Sequence, residues 1–485
     1  MNSSQPLKPI SKPLGLPLSR LACGFTLSVL TLLTACKTPT EVGDNQEPDP
    51  VVVDLPIAYI QRPLPTDSSG NPVTESLLSP ADFNPGAALF VKDRATPSAT
   101  TLNISAAAFG DNSAYDVKGL DVSSDGRKIV FSMRAPDIEG ADDDDQPRWN
   151  IWQYSLDDQH LERLMVSDIS AEAGQDIDPA YLPDGRIVFS STRQRRSKAI
   201  LLDDNKPQFS ALDEDRDDGA FVLHTMSADG SDLKQLSFNQ SHDLQPSLLS
   251  DGRIVFNRWD NIANRSHVSL YTVKPDGSEL SLYYGYHSQN TATNEGQAAF
   301  QQPRQMADGR LLALLKPRTS RRYGGDIIAI DTENYTDINQ PTYANIGATA
   351  QGQQSLSVLA VNTDDSFSVH GAFSSAFPFS DGSNRLLVSW SQCRVIEPQT
   401  LSYRVCSDEL LATPNIQEAP PLYGLWIYDL DKQSQQPLIP PEEGIMVSEA
   451  ITLEPTPVAD FIPAPVVGID LDAGLVNQGV GTLHI

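Results

Sequence analysis

The densest groups of reactive side chains in this 485-residue sequence are carboxylates. The run DEDRDDG sets Asp213, Asp215 and Asp217 at alternate positions, with Glu214 and Asp218 beside them, and ADDDDQ carries Asp142 to Asp145. Hard oxygen ligands spaced this way suit Ca2+ when a glycine and a closing bidentate carboxylate follow at fixed places. Here Gly219 falls one place late and His224 stands where the closing carboxylate belongs, so a solvated acidic loop is the favoured reading. The sequence assigns no metal and no cofactor; Asp213, Asp215 and Asp217 are the candidates it would offer to Ca2+. Positive charge concentrates in KPRTSRRYGG, where Lys316, Arg318, Arg321 and Arg322 are candidates to grip an anion or a partner's acidic face. A solvated basic loop is the plainer alternative.

Motifs for nucleophilic or metal chemistry are missing. The sequence has no G-x-S-x-G, no H-E-x-x-H, no G-x-x-x-x-G-K-[ST] and no G-x-G-x-x-G after a strand. Its seven histidines are scattered. His242-Asp243 stands where Gln175-Asp176 stands in an earlier, similar stretch, and the shared aspartate suggests a structural turn or hydrogen bond. No catalytic residue is assigned, and the reading leans away from an enzyme. A net charge of −28 argues against nucleic acid as a partner, because binding phosphate requires the opposite sign.

Each of the four cysteines has a separate reading. Lys8, Lys12 and Arg20 precede the apolar run LACGFTLSVLTLL, which is too short to span a bilayer comfortably and reads as the core of a signal peptide over residues 1–35 containing Cys23. The run ends in LTAC, which resembles the lipobox of bacterial lipoproteins. That resemblance implies lipidation of Cys36, and Lys37 after it implies sorting to the outer membrane of a Gram-negative envelope, facing the periplasm or the cell surface. Residues 36–54 then form the lipidated end and a polar, Pro-bearing tether. Cys393 and Cys406 flank a short excursion, SQCRVIEPQTLSYRVC, and in an exported protein they suggest a disulfide across a hairpin. The absence of C-x-x-C-H leaves no covalent haem site in the chain.

The element that would position all of these groups is written as a repeat. DPAYLPDGRIVFSSTR returns as QPSLLSDGRIVFNRWD, and the Asp-Gly step recurs at Asp125-Gly126, Asp184-Gly185, Asp251-Gly252, Asp308-Gly309 and Asp381-Gly382. Each step joins a short strand to a β-branched and aromatic one, and further strands follow, as in WNIWQYSL and YGLWIYDL. The intervals exceed the usual propeller period of roughly 40–50 residues because polar loops such as RAPDIEGADDDDQPR are inserted. Four antiparallel strands per repeat, in a chain rich in glycine (30) and proline (36), define an all-β propeller. Six blades are expected over residues 55–445. The sixth lies upstream, in Leu55 to Ser105, and lacks the Asp-Gly step. The Pro-rich segment 446–485 offers a seventh as the alternative, and its end, GLVNQGVGTLHI, reads as a strand.

The repeats resemble the WD40-like repeats of TolB-type propellers. The sequence from IAYIQRPL through LFVKDRA to DVSSDGRKIVFSMRA is similar to the middle propeller domain of the hydrazine synthase alpha subunit family, over roughly residues 55–440. The resemblance implies a propeller fold and further sequence beyond it, so the C-terminal segment reads either as truncated or as the end of a natural short form. Haem-bearing domains would accompany the propeller in that family, but their attachment motifs are missing here, so hydrazine chemistry does not carry over. The expected function is a lipid-anchored scaffold that binds envelope proteins through one loop face and the membrane through its acyl chains. The competing expectation is a propeller subunit of a haem-containing redox complex.

Overall fold

The strand after each Asp-Gly step carries a run of three or more consecutive apolar residues (IVF, IVF, IVF, LLALL and LLV), and the reason is burial on both sides. In Ile187–Ser191, Val188 packs towards Leu223, Ile254 and Phe256, while Ile187 and Phe189 turn to Val130, Ile151 and Met226. In Leu311–Pro317, Leu312 and Leu314 meet Leu386 and Val388, while Leu311, Ala313 and Leu315 meet Val255, Leu270 and Phe300. The period-2 geometry of a strand thus sends alternate residues to opposite neighbours. Each fully buried side chain of this size contributes roughly 1.5–3 kcal/mol.

The structure is a computed structural model that describes residues 55–478, apart from 68–69, 71, 74–76, 111–112, 208–209, 213–218, 263–264, 319–323, 360 and 365. Among the described residues the chain forms six four-stranded antiparallel sheets. Their first strands are Asp116–Val122, Asp176–Tyr181, Asp243–Leu248, Ala298–Gln305, Ala372–Pro378 and Ile445–Thr452. Each of these strands contacts the next, and the last contacts the first, so the sheets close into a ring around a central channel. This is a β-propeller.

Ring closure explains why the upstream unit lacks an Asp-Gly step. Ile57–Pro63, Ala88–Lys92 and Thr101–Asn103 supply three strands of the first sheet, and the fourth, Ile445–Thr452, comes from the far end of the sequence. It pairs with Ile57–Pro63 from Ile57↔Thr452 to Pro63↔Ile445, so no covalent turn joins the two. The boundary drawn between residues 445 and 446 therefore cuts a strand, and the first strand of the C-terminal segment completes this sheet. The described part of GLVNQGVGTLHI also differs from expectation, residues 479–485 lying outside the described residues. Asp472 accepts hydrogen bonds from Gly474 N (2.7 Å) and Leu475 N (2.9 Å) and caps a short helix, Ala473–Asn477, where a strand was expected.

In an antiparallel meander, alternate connections emerge at opposite ends of the strands. One face of the ring carries the Asp-Gly turns. At Asp184 the backbone N–H of Gly185 donates to Leu182 O, Gly185 takes φ +84°, and Asp184 Oδ1 accepts from Arg186 N while Oδ2 accepts from Arg186 Nε at 2.7 Å. The same Asp–Arg pairing recurs at Asp251 with Arg253 and at Asp308 with Arg310. Asp125 accepts from Arg127 N, and Asp381 from Ser383 N and Arg385 Nη2. In each turn glycine (Gly126, Gly185, Gly252, Gly309, Gly382) supplies the left-handed backbone, and the aspartate acts as an acceptor. The opposite face carries the connections 64–87, 135–149, 192–221 and 392–422.

Candidate functional site: the central channel and the loop face

Every first strand is interrupted by a bulge where its register slips, between Lys118 and Asp121, Ile177 and Ala180, Leu244 and Ser247, Gln301 and Arg304, and Phe373 and Ser375, with a matching slip opposite Ile445–Thr452. At four of them a residue adopts left-handed φ: Gly119 (66°), Asp178 (52°), Gln245 (51°) and Gln302 (50°). Three of the four precede a proline, which lacks the N–H that the broken ladder would otherwise leave unpaired.

These bulges are stitched into a belt around the channel. Glu449 accepts from both Gly119 N and Leu120 N at 3.1 Å. Asp178 Oδ2 accepts from Gln245 N (3.2 Å), Gln245 Oε1 accepts from Gln302 N (2.8 Å), and Gln302 Nε2 donates to Ser374 O (3.4 Å). Below the belt, Arg304 reaches from the sheet begun by Ala298–Gln305 to the one begun by Asp116–Val122. It donates to Asp121 Oδ1 and to Leu120 O (2.8 Å). This ion pair is a crossbar through the channel.

Both mouths are covered. On the loop face, residues 77–84 lie across the channel as a strap. Trp149 Nε1 donates to Ala81 O (3.0 Å), Asn84 N to Asp116 Oδ2 (2.7 Å) and Lys118 Nζ to Pro80 O. Arg134 stacks 3.9 Å over the Phe83 ring. A cavity of ≈ 90 Å3 lies beneath this strap. On the turn face the segment after Thr452 runs across the mouth. Thr456 N donates to Ser124 O and Asp460 N to Ser250 O, both at 2.8 Å, and the segment roofs a larger cavity of ≈ 390 Å3. Gly252 is required there, because a Cβ would stand 2.2 Å from Asp460 O.

The basic set read from the sequence does not assemble into one surface site. Lys316 is buried in the wall of the cavity under the strap, where it has partners within the protein. Arg318 donates to Ser266 O and Ser266 Oγ (2.8 Å), and burial lowers its pKa. Arg321 and Arg322 lie outside the described residues, as do Asp213, Asp215, Asp217 and Cys36. Among the described residues no three His, Cys, Asp or Glu side chains converge as metal ligands. Cys393 and Cys406 are disulfide-bonded, with Cα atoms 5.4 Å apart. They staple a small sheet of Arg394–Ile396, Tyr403–Val405 and Gln417–Glu418 that projects from the loop face.

The paired aspartates are core acceptors. Asp176 takes Arg193 through two bonds, Nε at 2.9 Å and Nη2 at 2.5 Å, and its pKa is raised by burial against the pull of that arginine. Asp243 accepts from Ser237 Oγ (2.5 Å) and Asn239 Nδ2 (3.1 Å). His242 Nδ1 accepts from Phe221 N (3.1 Å), which links two sheets. His224 is buried, and its imidazole is pushed down to about 4 by desolvation, so it is neutral at pH 7. Sequence reasoning did not find the belt or the crossbar. The belt's one local signal is an x-Pro step a few residues before the Asp-Gly step.

The class of protein is thus a β-propeller with a belted, capped channel. No family model matches the sequence, and no curated protein matches it significantly. Among solved structures, the chain is similar to hydrazine synthase from Kuenenia stuttgartiensis, with TM-score 0.53 and 13% identity over 84% of this chain. It spans about half (48%) of that chain. It is also similar to TolB from Acinetobacter baumannii, with TM-score 0.45 and 12% identity over 84% of this chain and 68% of that one. These likenesses are of fold.

Proposed function

We propose that the protein is a lipid-anchored β-propeller of the cell envelope that acts as a protein-binding scaffold through its loop face. The observation that supports this reading is an asymmetry between the faces. The Asp-Gly connections of the turn face are tight hairpins, whereas several of the connections that emerge opposite are long and carry large exposed apolar residues: Ile138, Val166, Ile169, Leu202, Leu401 and Tyr403; on the turn face such residues sit on the connection 331–352 (Tyr343, Ile346) and on the crossing segment (Val458, Phe461). Loops held on a rigid ring are where binding residues concentrate. Among the described residues no helix is long and apolar enough to cross a membrane, and in this reading the anchor is lipid on Cys36.

The test is a photo-crosslinking amino acid at Leu401 or Ile169, compared with one at Ala228 on the turn face, in cells that carry the full chain. Crosslinks to a defined envelope protein from the loop-face positions alone support the scaffold. Equal labelling from both faces, or none, counts against it. Palmitate labelling that survives Cys36→Ala would remove the anchor. The competing reading, a subunit of a haem-containing redox complex, is favoured if the crosslinked partner carries C-x-x-C-H motifs.

A further inference from the structure

We propose that the cavity beneath strap 77–84 is a binding site for a small, neutral, polyhydroxylated molecule: a polyol or a monosaccharide. This goes beyond the scaffold reading and does not depend on it. The cavity measures ≈ 90 Å3. At roughly 10–15 Å3 per water on the same measure, it has room for about six or more waters, or for a ligand with a comparable number of polar atoms.

The wall decides the chemistry. Its charged groups are already engaged within the protein. Arg62 pairs with Asp116 at 3.2 Å, Lys118 holds Pro80 O, Asp178 and Glu449 serve the belt, and Asp82 and Lys316 have partners of their own. With both signs of charge present and committed, neither an anion nor a cation finds an unopposed counter-charge. The vacant groups are neutral. Gln301 sits on Ala298–Gln305 with 8% of its surface exposed. Its backbone pairs with Leu314, and its side-chain amide makes no hydrogen bond among the described residues. Ser448, 6% exposed on Ile445–Thr452, has a buried hydroxyl with no partner among the described residues. A glutamine amide offers two donors and an acceptor oxygen, and a serine hydroxyl offers one donor and an acceptor. Folded proteins pair nearly all such groups when they bury them. These two neutral polar residues on the wall of one cavity, beside the apolar Ile177, Leu244 and Met446, match the alternating hydroxyl and C–H surfaces of a polyol.

Saturation-transfer NMR on the full chain, with erythritol, myo-inositol and glucose at about 20 mM, tests the site in the millimolar range. Lactate and putrescine serve as charged controls. Transfer to at least one neutral probe and to neither control is expected. Gln301→Leu should weaken the response about tenfold, and Ser448→Ala several-fold, with the ligand-free thermal midpoint unchanged or raised. A residue placed for ligand leaves a buried polar group unpaired, so removing it does not harm the fold. If Gln301→Leu does not fold, Ser448→Ala carries the test. Absence of transfer to all three probes, binding indifferent to both substitutions, or a crystal soaked in erythritol with only water in the cavity would each overturn the proposal.

Discussion

Asp326 gives the sharpest quantitative test of the packing. It opens the strand Asp326–Ile330 with 7% of its surface exposed. Its Oδ1 accepts a hydrogen bond from Ser355 Oγ at 2.9 Å, the Ile327 backbone N–H also favours the charged form, and no cation among the described residues pairs with it. The phenol of Tyr428 is its titratable neighbour. Desolvation pushes the carboxyl from its ordinary 3.8 up to about 7. A folded-state pKa above the unfolded value means that folding favours the protonated form. The stability it confers is fully present below pH 3.8, is lost as pH rises towards 7, and then stays flat. The full span is worth about 4 kcal/mol, of which roughly 2–3 kcal/mol falls between pH 5 and pH 8. For a ring of this size that is on the order of 3 °C in thermal midpoint. Asp326→Asn keeps the acceptor for Ser355 and removes the titration. Thermal unfolding of both proteins at pH 5, 6, 7 and 8 should show the wild type losing about 3 °C more than the variant, with the variant the more stable at pH 8. Parallel pH profiles would refute the claim that this carboxyl is buried without a counter-charge.

Other perturbations separate the devices that hold the ring. Arg304→Ala strands Asp121 in the channel and should cost about 3 kcal/mol, while adding Asp121→Asn should recover part of that in a double-mutant cycle followed by thermal unfolding. Gly185→Ala and Gly252→Ala place the same methyl group in the same turn. The first should cost about 1–2 kcal/mol for left-handed backbone, and the second more, with faster proteolysis of the segment around Asp460 because only there does the methyl strike the crossing chain. Replacing Cys393 and Cys406 with serine should leave the six sheets intact and raise hydrogen exchange in residues 394–418, a local loss of about 2–3 kcal/mol.

The ring was legible because its turns use one chemistry. Asp184 and Arg186 pair across Gly185 in the same way as Asp251 and Arg253 across Gly252, so the hairpin announces itself in three letters. The same logic hid the closing sheet, whose first two strands are joined by hydrogen bonds and not by a turn. The channel was not legible, because the belt is made of different residue types at equivalent places (Gly119, Asp178, Gln245 and Gln302) that share a backbone conformation and not a side chain. Arg304 and Asp121 meet over 183 positions with no local pattern to mark them. Lys316 looked like a surface charge beside Arg318, Arg321 and Arg322. In the structure it is buried in the wall of the cavity under the strap, a place that nothing in its local sequence marks.

The antiparallel clasp between Ile57–Pro63 and Ile445–Thr452 also sets how the ring bears load. Because Ile57 lies opposite Thr452, the chain enters and leaves this pair at the same end. Tension between a surface holding the N-terminal side and a body pulling on the segment after Thr452 would part the two strands one hydrogen bond at a time, as a zipper opens, and would not shear them all at once. The clasp is therefore the weakest link along that axis, and the sheet it completes is the first to open. Single-molecule pulling from residues 55 and 455 should record release at low force, with a step the length of this one strand before any other sheet yields.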